Sequence, residues 1–522
     1  MTRVQPCMQG SLWLRPPLPE EFEPMTRISI FRDYSRTFWT ANLMELFERA
    51  AYYGLNSVLG GYLTLSKAEG GLGFATQSVG FLQGIVYAIT FILPILGGAL
   101  ADRYGYRRLL LFAFALLSAG YFLSGTVSSY ALVFLFLLVM ATGSGLFKPI
   151  ISGTIARTTD ERTSGLGFGI YYWTINLGAF LAPLVVSILK GFSWHYVFTA
   201  SALYCAAMLF PAAFLFHDPP RPANTRTFRE VLTGAAEVLG DARFMMMVVV
   251  YSGFWILYFQ NMGTILWYLR DVIDKEPVSA GITSLFRSIG LPWTFRFDIE
   301  HVTVINAGTI IMLQVPISRF VARFRALPTM VGGMALGAAG FLILASSRNP
   351  WVFVVGIAVF SIGEMTAHPR YYSFIGLVAP QDRKAVYMGY AFLYGVFGSL
   401  LGSNVGAFLY ARMIEPALGT DAIASRGTLL WLMFALLDVC ATLGLILFFR
   451  KFGTDTAETR KRAALAMRFT YALIGLLGVA FVVMGFVAQP VQVRTLVQAL
   501  IFLALACGGL WFNQRGAART GS

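Results

Sequence analysis

The sequence predicts an all-α polytopic membrane protein of about fourteen transmembrane helices, and three observations carry that expectation. Of 522 residues, 57% are hydrophobic and only 13% are charged, against about 25% charged in soluble globular domains. Apolar runs of about 20 residues, the length that crosses a bilayer, recur along the whole chain with no long polar linkers between them. Lys and Arg, which make the net charge +14, are unevenly distributed among the connections. That composition argues against a soluble enzyme, a nucleic-acid binder and a secreted disulfide scaffold. The positive charge reads first as a topology signal. Cys7, Cys205, Cys440 and Cys507 are scattered, three of them in apolar runs, and read as packed thiols.

The apolar stretches lie near 37–65, 76–100, 106–127, 130–156, 164–190, 195–216, 244–269, 302–324, 328–346, 350–377, 384–411, 427–449, 467–488 and 494–513. Membrane helices tolerate the Gly and Pro that several contain. The Pro- and Arg-rich segment 217–243 reads as a cytoplasmic linker between six-helix halves, 37–216 and 244–450. Residues 1–36 read as a cytoplasmic amino-terminal segment, with Met25 as an alternative start. Residues 451–522 read as a basic loop and two additional helices, and 270–301 as a structured outer loop. With the amino terminus inside, 27 of the 40 Lys and Arg fall in inner segments, ten in outer ones and three within spans. That bias places both termini in the cytoplasm of a cell (inner) membrane.

The hairpin GGALADRYGYRRLL (97–110) is similar to the cytoplasmic motif of the major facilitator superfamily, although Arg103, Arg107 and Arg108 are also ordinary positive-inside residues. Five further segments appear in order: ELFERAAYYG (45–54), GSGLFKPIISG (143–153), YYWTINLGAFLAP (171–183), GEMTAHPRYYSFIGLVAP (363–380) and MGYAFLYGVFGSLLG (388–402). Together they resemble the proton-dependent oligopeptide transporter (peptide transporter) family of that superfamily. The resemblance implies the major facilitator fold, two six-helix bundles around a central cavity, with the last two helices outside it.

Charge inside the spans is the functional signal, because a charged residue at the bilayer centre costs about 2.5–3.5 kcal/mol even on insertion scales. Glu45, Glu48 and Arg49 lie in the first span, with Glu45 and Arg49 spaced i, i+4 on one face. They form either a static salt bridge or a switch in which a substrate carboxylate competes for Arg49 while a Glu takes a proton. Lys148 lies about 27 Å into the fourth span. It either snorkels to the membrane surface or, as the resemblance implies, enters the cavity to bind a peptide carboxyl group. The resemblance places Glu364 opposite a peptide amino group. Proton coupling is thus expected of Glu45, Glu48, Arg49 and Glu364. The resemblance further implies substrate binding by Arg49, Tyr52, Tyr53, Lys148, Asn176, Trp255, Asn306 and Glu364. His368 is one turn from Glu364 and reads as a relay or a packing residue. Arg370 is expected to meet an acid or line the inner mouth, and Asp438 is a buried acid without an assigned role.

Three departures from the family pattern matter. Asn56 stands where many relatives carry Arg, Phe259 and Gln260 stand near a frequent acid of the seventh span, and Phe91 replaces a frequent Tyr. The leading expectation is a secondary active transporter, a proton-coupled symporter of di- and tripeptides working by alternating access. The partners expected are small peptides, protons and the lipid bilayer, with no nucleic acid. Carriage of nitrate, an organic anion or an amino-acid derivative, or a non-transporting membrane sensor, are the alternatives. No phosphate-binding loop, cofactor motif, metal-ligand motif or enzymatic nucleophile set stands out. The sequence assigns no oligomeric state.

Overall fold

The computed structural model describes residues 33–160, 162–219, 228–379, 384–453, 456–487 and 493–520. Met25 and nearly all of the amino-terminal segment lie outside them. Fourteen membrane-length helices follow in order. The first six are α1 (Arg36–Thr64), α2 (Thr76–Tyr104), α3 (Tyr106–Thr126), α4 (Tyr130–Arg157), α5 (Ser164–Leu189) and α6 (Trp194–Phe214). They are followed by α7 (Ala242–Asp271), α8 (His301–Val321), α9 (Ala326–Ser346), α10 (Pro350–Val378), α11 (Val386–Ala417) and α12 (Ile423–Phe452). The last two are α13 (Ala457–Val487) and α14 (Val493–Thr520). Among the described residues, 13 helices are long and apolar enough to cross a membrane by themselves. The fourteenth is α1, whose 29 residues suffice in length but include Glu45, Glu48 and Arg49. Its burial among α4, α5 and α6 removes those charges from lipid.

The structure departs from the sequence expectation, or adds to it, at four places. Helix α13 starts at Ala457, ahead of the expected 467, so its first turns run through the basic stretch read as loop. The linker contains a helix, Phe228–Gly240, and the outer loop another, Glu276–Ser288. Helix α7 is broken by a tighter turn at Phe259–Met262 before Gly263, which shifts its last two turns toward α1. The α2–α3 hairpin turns on one residue, Gly105, whose φ of 96° lies in the region that favours glycine. Asp102 closes that turn by pairing with Arg157 at 2.9 Å and accepting from the Tyr106 hydroxyl at 3.1 Å.

The two halves meet along α2–α11, α5–α8 and α1–α7. Small residues permit the close approach. A Cβ on Gly80 would collide with Ala407, and one on Gly60 would lie 2.6 Å from the Met262 carbonyl oxygen. The polar bonds joining the halves gather at the end where α1 finishes and α2 begins. Trp267 Nε1 donates to the Gly60 carbonyl at 2.8 Å, Gln83 Nε2 to that of Met262 at 2.9 Å, and Arg270 to that of Gly61 at 3.0 Å. Lys190 at the end of α5 binds Asp298 (2.6 Å) and Glu300 (2.5 Å) ahead of α8. This end of the molecule is closed. Helices α13 and α14 pack on each other outside the twelve-helix body. Helix α13 leans on α7, and α14 lies on the linker helix, where Gly516 meets the Gly240 backbone.

Candidate functional site

Helix α1 presents Glu45, Glu48 and Arg49 to the interior because consecutive turns place them beside α4 and α5. All three are buried. Arg49 Nε donates to Glu48 at 2.5 Å and lies 3.5 Å from Glu45. Glu48, not the i, i+4 partner Glu45, is therefore the closer counter-ion. Its second oxygen accepts from Ser144 of α4 at 3.0 Å. Sequence reasoning passed over Ser144, although it stands inside the quoted GSGLFKP segment. The guanidinium covers Tyr52 and Tyr53, at 5.0 and 5.9 Å from the ring centres.

Lys148 does not reach for the membrane surface. Its Nζ sits 4.7 Å from the Phe91 ring centre and 5.9 Å from that of Tyr52, inside the bundle. No ion pair holds it among the described residues. Phe91 in turn touches Trp255 and Tyr394 edge-on at 6.0 and 5.9 Å, so one ring links the cation wall of the first half to the aromatic wall of the second.

On that second wall Asn306 of α8 donates one amide to Glu364 and to Ser361, each at 2.9 Å. Two residues singled out separately in the sequence are thereby brought together. Tyr53 lies 5.9 Å from the Arg49 guanidinium, measured to its ring centre, and within electrostatic reach of Glu364. His368 is boxed by Trp255 (5.0 Å), Tyr372 (5.2 Å) and Tyr394 (5.5 Å), and its Nδ1 is 3.3 Å from the Tyr251 hydroxyl. Asn176 is tied to its own helix, its amide donating to the Tyr172 carbonyl at 2.9 Å. Arg370 caps α8 by donating to the Val321 carbonyl at 2.7 Å. Asp438 is fully buried against Gly337 of α9, where an added Cβ would lie 2.8 Å from its Oδ2. Phe254 approaches the same glycine.

The departures have structural uses. Asn56 donates to the Tyr52 carbonyl (2.7 Å) and accepts from Tyr87 (2.8 Å), so the position lacking Arg is occupied by a saturated bond network. Gln260 donates to the Ile256 and Gly402 carbonyls at 2.6 and 3.0 Å and accepts from Thr264 at 2.7 Å, tying α7 to α11. An amide can donate and accept at once; a carboxylate there would lose the two donated bonds. Phe259 stacks on Tyr87 at 5.4 Å. Among the described residues, no group of His, Cys, Asp and Glu is arranged to hold a metal.

Two helical bundles closed at one end over a charged interior define a multi-pass membrane transporter. The sequence profile of the Major Facilitator Superfamily matches residues 39–403, well over half of the chain, and the chain belongs to that superfamily of transporters. Over 30% of its length it is 32% identical to the peptide transporter YePEPT of Yersinia enterocolitica, an alignment covering 32% of that relative. Over 65% of its length it is 24% identical to the multidrug resistance protein MdtH of Proteus mirabilis, covering 79% of it. Among solved structures it is similar to a POT family transporter in complex with 5-aminolevulinic acid, with TM-score 0.62 and 20% identity over 80% of this chain and 97% of that one. Peptide transporters thus stand among both its sequence relatives and its structural neighbours, as the motifs predict.

Proposed function

We propose that the protein is a proton-coupled symporter of di- and tripeptides in the inner membrane, with both termini cytoplasmic. The observation carrying this reading is the opposition of Arg49 and Lys148 on one wall to Glu364 on the other, bridged by Tyr53, Phe91 and Trp255. A peptide has a carboxylate at one end and an ammonium at the other. Lys148, which belongs to no ion pair among the described residues, takes the carboxylate. Glu364 takes the ammonium, with Asn306 fixing its orientation. When the peptide carboxylate draws Arg49 from its acids, Glu45 or Glu48 loses its counter-ion and accepts a proton. Substrate and proton then ride together, and the two halves rock about the site. The connection ends that carry most Lys and Arg face the cytoplasm, so the closed end faces outward.

A second reading has its own support. Asn56 is committed to Tyr87, so the site holds one cation fewer than many peptide carriers. That favours a shorter amphoteric substrate, such as an amino-acid derivative, over a tripeptide. The test is reconstitution in liposomes with an inward proton gradient, following labelled dialanine against competing tripeptide, 5-aminolevulinic acid and nitrate. Gradient-driven dialanine uptake is expected. Uptake indifferent to the gradient would overturn proton symport. Dialanine binding without uptake would favour a sensor.

A further inference from the structure

The closed end contains a cavity of about 890 Å³, a size that suits a small ligand. It is separated from the central site by the bonds of Gly60, Gly61 and Gln83 that seal this end. Its wall comes from the α1–α2 loop, the starts of α2 and α14, and the ends of α7 and α11, so both halves and an accessory helix build it. Three charges in it are held by neutral groups. Arg494 of α14 donates to Gln77 at 2.6 Å and to Ser78 at 3.2 Å. Glu415 accepts from the Thr76 hydroxyl, and Glu69 from that of Ser66 at 2.5 Å. None of the three belongs to an ion pair among the described residues. Beside them Arg270 and Asp271 neutralise each other at 2.6 Å. Hydrogen bonds to neutral partners fix where a charge points while leaving it uncompensated. Arg412 lines the same cavity over the Phe408 ring at 5.9 Å, so two cations and two anions outside ion pairs among the described residues present complementary charge to a molecule carrying both signs.

We infer that this cavity is a second binding site, an encounter site for a small zwitterion on the closed face, with Arg494 taking the carboxylate and Glu415 and Glu69 the ammonium. The inference rests on the proposed amphoteric substrate and gives α14 a task. Arg494 bonds to α2, and Gln498 of the same helix to Asn404 of α11. The helix that completes the site thus straddles the seam between the halves.

The test uses the full chain in membrane vesicles with Leu418→Cys, an exposed residue of the cavity wall, labelled by a membrane-impermeant maleimide. The chain without that substitution is the blank. Millimolar dialanine is expected to slow labelling several-fold, whereas N-acetylalanine and alanine amide, each with one charge, are expected to protect weakly. Arg494→Ala and Glu415→Gln should each remove the protection without changing the unprotected rate. Glu364→Gln, in the central site, should abolish driven uptake and leave protection intact. Absence of protection by dialanine, or protection that survives both Arg494→Ala and Glu415→Gln, overturns the encounter site even if transport proceeds. Protection without dialanine uptake upholds it and overturns the peptide-symport reading instead.

Discussion

In the amino-terminal half, Arg49 lies against two carboxylates of its own helix; in the carboxy-terminal half, Glu364 accepts from the amide of Asn306 and belongs to no ion pair among the described residues. The first arrangement compensates its charges before any substrate arrives. The second leaves one acid held only by neutral groups. A buried pair is costly to break because the surviving partner keeps its desolvation penalty. A single acid can be exchanged for an amide of the same shape with little structural loss. Fold stability should therefore depend on the first wall more than on the second, whereas both walls are expected to take part in coupling, Glu45 and Glu48 on the first and Glu364 on the second.

The largest effect is expected at the first wall. Arg49→Ala and Glu48→Gln each leave a buried charge with part of its partnership removed, and losses of about 3–5 kcal/mol follow for a fully buried pair. Thermal unfolding in detergent should show both variants well below the parent, with Glu364→Gln close to it. Equal destabilisation by all three would break the contrast between the walls. Glu364→Gln keeps an oxygen to accept from Asn306 but cannot carry a proton. Gradient-driven uptake should vanish while exchange of labelled for unlabelled peptide continues. Lys148→Ala should abolish uptake with little loss of thermal stability, since Lys148 belongs to no ion pair among the described residues.

The next effect concerns the closed end. Burial would raise the Asp298 carboxyl, but the ammonium groups of Lys190 and Lys275, at 2.6 and 2.9 Å, outweigh it and hold it down at about 2. A depressed carboxyl stabilises the folded, closed arrangement fully above its unfolded value, near 4, and the contribution is lost as pH falls toward 2. Its worth is about 2 kcal/mol. Asp298→Asn should lower thermal stability at pH 7 by that order and flatten the acid limb of the stability profile between about pH 4 and 2. An unchanged profile would mean that Lys190 is held by Glu300 alone.

Most of the helix order was legible because the bilayer imposes a length and a composition that survive in the sequence. Residues 457–466 were not, since an amphipathic first turn with Lys and Arg has the composition of a loop. The members of the site were legible as charges where charge is expensive, but their pairing was not. Glu48 lies one residue from Arg49, a spacing that does not share a helical face, yet the long Arg side chain folds back to it. Asn56 and Gln260 read as deficits. Only the three-dimensional neighbours reveal that each is saturated by bonds across helices, Tyr87 for one and Gly402 for the other. The α14 contribution to the closed-end cavity was invisible because Gln77 and Arg494 are more than four hundred residues apart.

The smallest effect decides what His368 does. Its Nδ1 meets the Tyr251 hydroxyl at 3.3 Å, a long bond whose net contribution is about 1 kcal/mol or less. Tyr251 also stacks on Tyr371 at 4.1 Å, a contact that Tyr251→Phe preserves. That substitution should therefore leave thermal stability within about 1 kcal/mol of the parent. Its effect on uptake separates two roles that burial alone leaves equivalent. If His368 only fills the aromatic box between Trp255 and Tyr394, driven uptake in Tyr251→Phe equals that of the parent at every pH. If His368 passes protons toward Glu364, one turn away, removing the hydroxyl changes which ring nitrogen carries the proton. Driven uptake then falls while exchange without a gradient is kept. That is the pattern of Glu364→Gln in weaker form, and finding it would extend the second wall's part in coupling from Glu364 alone to a chain of three.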